Sequence, residues 1–159
     1  MTKIFTGEIM SIIGTLSGVI FGFFLNNLYR KGQLKLIIKS PDVIYVEPDG
    51  QGGGIENNNI TDKTDEIYIN LDIDIYNSSQ DFKSIRHIRL KIYNNKIKET
   101  LTLEPIEFEI LNIPPKNTYN QKLSFYLKDN FNYLENSELY LIIKQLKKEK
   151  KYKIDKNDK

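Results

Sequence analysis

The chain has 159 residues, with 23 basic and 21 acidic side chains, a net charge of +2 and no cysteine. That length suits one ordinary domain plus an anchor rather than two domains. The near-neutral charge gives no case for nucleic acid. The missing cysteine excludes disulfides, thiolate nucleophiles, iron–sulfur clusters and cysteine-ligated zinc.

Residues 1–8 read as a short N-terminal tail. From Ile9 to Tyr29 no side chain is charged. As a helix these residues would rise about 31 Å, close to the roughly 30 Å of a bilayer's hydrocarbon core. The reading is a transmembrane helix over 9–29. A cleaved signal peptide needs a small-residue site after the apolar run, and Phe23-Phe24-Leu25-Asn26-Asn27 offers none. Tyr29, Arg30 and Lys31 form the expected membrane junction, with 30–33 as a basic linker. Arg30, Lys31, Lys35 and Lys39 follow the span and only Lys3 precedes it. By the positive-inside rule this predicts a single-pass cell-membrane protein, N-terminus outside and C-terminal domain cytoplasmic.

Within the span, small residues share one face. Gly7, Ser11, Gly14, Thr15, Gly18 and Gly22 fall in a sector of about 100° on a helical wheel. Such a stripe lets two helix backbones approach closely in lipid. Ser11, Gly14, Thr15, Gly18 and Gly22 are therefore the candidate helix-packing residues. The simplest partner is a second copy, giving a homodimer, and a different single-span protein is the alternative.

Past Gly32 the period changes to two, and residues 34–155 read as one β domain. Leu34–Lys39 and Val43–Glu47 flank Pro41. A long polar loop follows between Pro48 and Asp65, containing Gly50-Gln51-Gly52-Gly53-Gly54. In Glu66–Tyr76, Ile67, Ile69, Leu71, Ile73 and Ile75 point one way and polar residues the other, the mark of a half-buried strand. Asn77–Asp81 is a loop. Ile88–Tyr93 buries Ile88, Leu90 and Ile92. If these two strands pair, Asp72 and Asp74 face Arg89 and Lys91. Asn94-Asn95 suits a hairpin. Lys98–Leu103 alternates, and Pro105 resets the parity for Ile106, Phe108 and Ile110. Pro114-Pro115 is a stop before Tyr119–Leu127. Residues 130–137 read as a loop or one helical turn. Leu139–Leu146 is a long apolar strand with a central place, Lys151–Ile154 a lysine-blunted edge strand, and 156–159 a disordered tail.

Many short strands with turn signals between them predict an antiparallel sandwich. The run N-L-D-I-D-I-Y-N-S-S…I-R-H-I-R-L-K-I-Y, with the later I-P-P-K-N-T-Y-N-Q-K-L-S-F-Y-L, resembles the middle and late strands of immunoglobulin-like bacterial sandwiches. There an asparagine ends one strand and a proline-led turn starts a later one. The whole layout is similar to small membrane-anchored bacterial proteins of unknown function. The resemblance implies the fold alone and transfers no active residues. The expected class is mainly β, an N-terminal transmembrane helix followed by an antiparallel immunoglobulin-like β-sandwich.

Chemistry is sparse. His87 is the only histidine, and with no cysteine a zinc or copper site lacks ligands. The glycine cluster lacks the Lys-Ser/Thr and the helix of a phosphate loop. Asp72 with Asp74, and Glu107 with Glu109, read as solvated strand faces rather than calcium or acid–base pairs. The lysines from Lys144 to Lys159 read as a solvated edge, with anionic headgroups as the alternative contact. No catalytic residue, metal or cofactor is expected. The functional expectation is a non-enzymatic, membrane-anchored interaction module presenting a sandwich at the inner membrane face to an unidentified protein, with the lipid bilayer as its other partner and no nucleic acid. The alternatives are an oligomerising membrane effector, toxin-like or phage-defensive, and, with inverted topology, an exported surface-anchored binding protein.

Overall fold

The computed structural model describes residues 2–30, 32–39, 41–128, 134, 136–145 and 148–155; within the first helix it describes the side chains of residues 14–28. The element order is α1 (Thr2–Arg30), β1 (Leu34–Ile38), β2 (Asp42–Pro48), β3 (Gly54–Asn57), β4 (Glu66–Asn77), β5 (Lys83–Asn94), β6 (Glu99–Leu103), β7 (Leu111–Ile113), β8 (Thr118–Lys128), β9 (Ser137–Gln145) and β10 (Lys148–Ile154).

The strands form two five-stranded antiparallel sheets, each built around one 12-residue strand. In the first sheet, β8 runs along one edge of β4 over its whole length. The other edge is shared end to end: β1 pairs with Ile73–Asn77 and β2 with Glu66–Asn70. Pro41, between β1 and β2, sits where the chain steps from one half-edge to the next. A proline supplies no ladder N–H, so it suits this break. β3 adds to β2. The second sheet repeats the plan. β9 lies along one edge of β5, while β6 and β7 share the other, and β10 adds to β9.

Alternation explains the burial. Along β4 every second residue, from Ile67 to Asn77, is buried. Ile67, Ile69, Leu71, Ile73 and Ile75 face Ile85, Ile88, Leu90 and Ile92 of β5 and Leu139, Leu141 and Ile143 of β9 in one apolar cluster. Burying a Leu or Ile side chain fully stabilises by about 1.5–3 kcal/mol, so this interior is what holds the sheets together.

The sandwich agrees with the predicted strand class, and several expectations need correction. The transmembrane helix over 9–29 is the largest. Among the described residues no helix is long and apolar enough to cross a membrane. The physical reason lies in composition. Gly14, Thr15, Ser17, Gly18, Gly22, Asn26 and Asn27 interleave with the bulky apolar residues there. The single-pass cell-membrane location, with an outside N-terminus and cytoplasmic domain, loses its basis with the span.

Strand pairing is the second correction. β4 and β5 lie in different sheets, so Asp72 and Asp74 do not face Arg89 and Lys91. Pro105–Ile110 forms no strand; it makes one bridge, Pro105 to Phe125, and leaves Ile106 and Ile110 exposed. The polar loop contains β3, and β10 begins at Lys148 rather than Lys151. β9 is interior to its sheet, between β5 and β10, as its apolar run predicts. Leu146, most of 130–137 and the tail 156–159 lie outside the described residues.

Candidate interaction surface

Two sheet faces look outward, and they differ in how their charges are settled. On the first sheet, the outward residues of β4 meet their partners locally. The amide of Asn120 donates to Asp72 Oδ1 at 2.6 Å and Asp74 Oδ1 at 2.8 Å. Lys39 Nζ lies 3.0 Å from Asp72 and 3.8 Å from Asp74. The Asn120 bond, followed by the Lys39 contact, holds the Asp72 carboxyl below the usual carboxylate range. Ser124 donates to Asn70, while Tyr68 and Tyr126 both donate to Glu66. The Glu66 bond, with some burial, pushes the Tyr126 phenol up to about 12. The paired aspartates thus hold a lysine and an amide, an arrangement that organises the face.

The second sheet's outward face is built from β5, β9 and β10. Its register sets rows across the three strands: His87, Lys144, Glu149; then Arg89, Ile142, Lys151; then Lys91, Tyr140, Lys153; then Tyr93 and Glu138. Ile142 is 2% exposed yet stands outside the interior cluster. Its register neighbours Arg89 and Lys151 explain this, because long cationic side chains lay their stems over apolar surface and keep their charges in water. Lys151 Nζ sits 3.5 Å from the centre of the Tyr140 ring.

A β-bulge supplies another cation. Register slips between Ile85 and His87, which pair with Gln145 and Lys144. Arg86 is the extra residue, so Arg86 and His87 are both exposed while Ile85 and Ile88 both stay buried. Bulges bend a strand and re-aim side chains. This one brings His87 to a hollow of about 210 Å³ shared with Arg89, Glu104 and Lys144.

The face's acids are largely taken. Glu149 accepts from Arg89 at 2.9 Å. Glu138 accepts from Lys153 at 2.7 Å and from the Tyr140 hydroxyl. The Lys153 bond, then that of Tyr140, lowers the Glu138 titration, and Glu138 in turn raises those of Lys153 and Tyr140. Arg86, Lys91 and Lys144 form no ion pair among the described residues. The result is a basic, tyrosine-containing surface with an apolar floor at Ile142.

The sequence-predicted site residues lie elsewhere. Gly14, Gly18 and Gly22 sit on α1 with open space where a side chain would begin. Thr15 is on the same helix. The side chains of Ser11, Tyr29 and Arg30 lie outside the described residues, as does Lys31. Glu107 and Glu109 line a hollow of about 700 Å³ with Phe108, Ile110 and Tyr119. The glycine cluster forms a hairpin turn, with Gly50 and Gly52 at positive φ and the Asp49 carboxylate accepting from the N–H groups of Gln51 and Gly53. Among the described residues no group of three histidine, aspartate or glutamate side chains could hold a metal. The basic face was missed as a unit because its members come from three separate strands. The one local sign is I-R-H-I, where alternation breaks by one residue.

Comparison with known proteins bears on the fold. The SPbeta prophage-derived uncharacterised protein YopI of Bacillus subtilis strain 168 is 35% identical over 94 residues, covering 56% of this chain and 52% of that protein. The chain therefore spans about half the length of that relative. An uncharacterised β-sandwich protein from Clostridium difficile 630 is 13% identical, with a TM-score of 0.40 over 77% of this chain and 86% of its own. A protein from Archaeoglobus fulgidus is 12% identical, with a TM-score of 0.38 over 75% and 98%. Residues 32–106, from the linker through β6, match the YopI Ig-like domain family.

Proposed function

We propose that the sandwich is a non-enzymatic interaction module that docks an acidic protein surface on the outward face of β5, β9 and β10. One observation carries the reading: among the described residues Arg86, Lys91 and Lys144 stand without acidic partners, while Glu138 and Glu149 are already held by Lys153 and Arg89. A surface with unbalanced cations attracts carboxylates and steers their approach. The interspersed Glu104, Glu138 and Glu149 favour a protein over nucleic acid, whose continuous phosphates they would repel. Tyr93 and Tyr140 suit the apolar part of a protein contact.

The test is binding of an Asp/Glu-rich peptide to the whole chain at low salt. The triple reversal R86E/K91E/K144E is expected to weaken it at least tenfold, and 0.5 M salt to do likewise, since screening shortens the reach of exposed charges. Reversal of Lys35 and Lys122 on the first sheet's face serves as control and should change little. Tighter binding of duplex DNA than of the peptide, or an unaffected triple variant, refutes the reading.

A further inference from the structure

The second sheet ends in a free edge beside a slot with both apolar and charged lining. β10 pairs with β9 from Lys148 to Ile154, and among the described residues no strand lies on its other side. β1, at an edge of the first sheet, likewise pairs only with β4. Between these edges the sandwich stays open over a slot of about 520 Å³ lined by Leu36, Ile38, Lys151, Tyr152, Lys153, Ile154 and Asp155. Leu36, Ile38 and Tyr152 pack on the interior cluster and remain partly exposed. Lys150 Nζ reaches Gln33 Oε1 at 3.3 Å across the two sheets.

We infer that an extended segment with alternating acidic and apolar residues adds to the second sheet along β10. The inference rests on the acidic-partner reading above and names how that partner engages. Alternate backbone N–H and C=O groups of an edge strand point outward and can pair with an incoming strand. Period-two alternation then sends one set of incoming side chains over the slot, beside Tyr152 and Ile38. The other set falls beside Lys151, and beside Lys153, which also holds Glu138, where acids match in charge. This is strand addition, with backbone bonds for affinity and side-chain pockets for specificity. The same lysines select the occupant. Two copies of β10 would bring together strands that each carry four lysines, Lys148, Lys150, Lys151 and Lys153, and one glutamate that Arg89 already holds. Like charge opposes self-pairing and admits an acidic strand.

The experiment titrates the whole chain against a labelled peptide of four Val-Glu repeats, read by fluorescence anisotropy. The peptide is expected to bind, and amide hydrogen exchange across Lys148–Ile154 to slow on binding. N-methylation of alternate peptide residues, which removes edge hydrogen bonds, should weaken binding at least tenfold on the unmodified protein. K151E/K153E should do the same, and four Val-Lys repeats should not bind. Equal affinity of the methylated and unmethylated peptides overturns strand addition. If that binding still falls with R86E/K91E/K144E, the acidic-partner reading stands alone. A peptide that binds nowhere on the chain overturns both. A peptide-free dimer with slowed exchange in β10 assigns the edge to a second copy and overturns the inference.

Discussion

Replacing Asn77 by alanine should unfasten one end of the sandwich. Asn77 is fully buried at the end of β4. Its amide nitrogen donates to the carbonyls of Asp81 at 2.8 Å, Ile113 at 3.0 Å and Pro114 at 3.0 Å. Its oxygen accepts from Ser79 N–H at 3.0 Å and Ser79 Oγ at 2.6 Å. One side chain thus ties the β4–β5 loop to the β7–β8 turn across the two sheets. In Asn77→Ala the Asp81 carbonyl keeps the Ser79 hydroxyl at 2.7 Å, while the Ile113 and Pro114 carbonyls and the Ser79 N–H lose this partner. Each hydrogen bond contributes about 1 kcal/mol net, and each stranded buried group costs about 1–3 kcal/mol. The expected loss is about 3–5 kcal/mol, a large share of the roughly 5–15 kcal/mol typical of a domain. At about 4 °C per kcal/mol this lowers Tm by about 10–20 °C. Urea unfolding followed by tyrosine fluorescence should show the midpoint falling with an unchanged m value. Asn77→Asp should be worse than alanine at neutral pH, because a buried carboxylate would face three carbonyl oxygens. Burial and those dipoles raise its folded pKa above the unfolded value, so the folded state binds more protons between the two. The Asp variant should therefore regain stability as pH falls through that window, a recovery the alanine variant lacks. A loss under about 1 kcal/mol for alanine, or parallel pH profiles for the two variants, refutes the reasoning.

Other outcomes follow from single contacts. A methyl group at Gly32 would meet the Ser78 carbonyl and Ser79 Cα at 2.5 Å, so Gly32→Ala should cost about 1–3 kcal/mol through overpacking, measured by thermal melting. Deleting Arg86 removes the bulge residue and leaves Ile85 and Ile88 on one face, so circular dichroism should show a folded chain. Deleting Lys91 reverses the parity of the rest of β5 and should prevent cooperative unfolding. Asn120→Ala should move the Asp72 titration back toward the ordinary range, seen by carboxyl NMR. Because Asp72 titrates low in the folded state, its contribution is present above the unfolded pKa and lost as pH falls through the folded one. The Tyr126 phenol should ionise only near 12, and Tyr126→Phe should delete that late step from an ultraviolet titration; its contribution fades as pH rises from the usual tyrosine value through about 12.

The sequence by itself determined which residues form the interior. Ile67 through Ile75 announce their shared face by a period of two, and the structure buries all five. Leu139–Leu146 reads as central in a sheet for a different reason, because an apolar run survives in a strand only where both sides are covered, and its described part lies in β9, between β5 and β10. The bulge left a sign that the sequence reading did not use: I-R-H-I places two polar residues where alternation allows one. Alternation is local physics, carried by the pleat, and needs no knowledge of the partner strand. Partners are another matter. Only the tertiary structure placed β4 and β5 in different sheets and gave Asp72 to Lys39 and Asn120 rather than to Arg89. It alone joined Asn77 to Ile113, set Gly32 against Ser78, and assembled Arg86, Lys91, Lys144 and Lys151 from β5, β9 and β10 into one surface. Helix α1 shows the opposite failure: an uncharged run read as a span, yet glycine, serine and asparagine among its residues dilute what length and absence of charge had suggested. The period of a strand belongs to its own residues, whereas its neighbours are chosen by loop closure and burial across the whole chain, and those terms are written in no single segment.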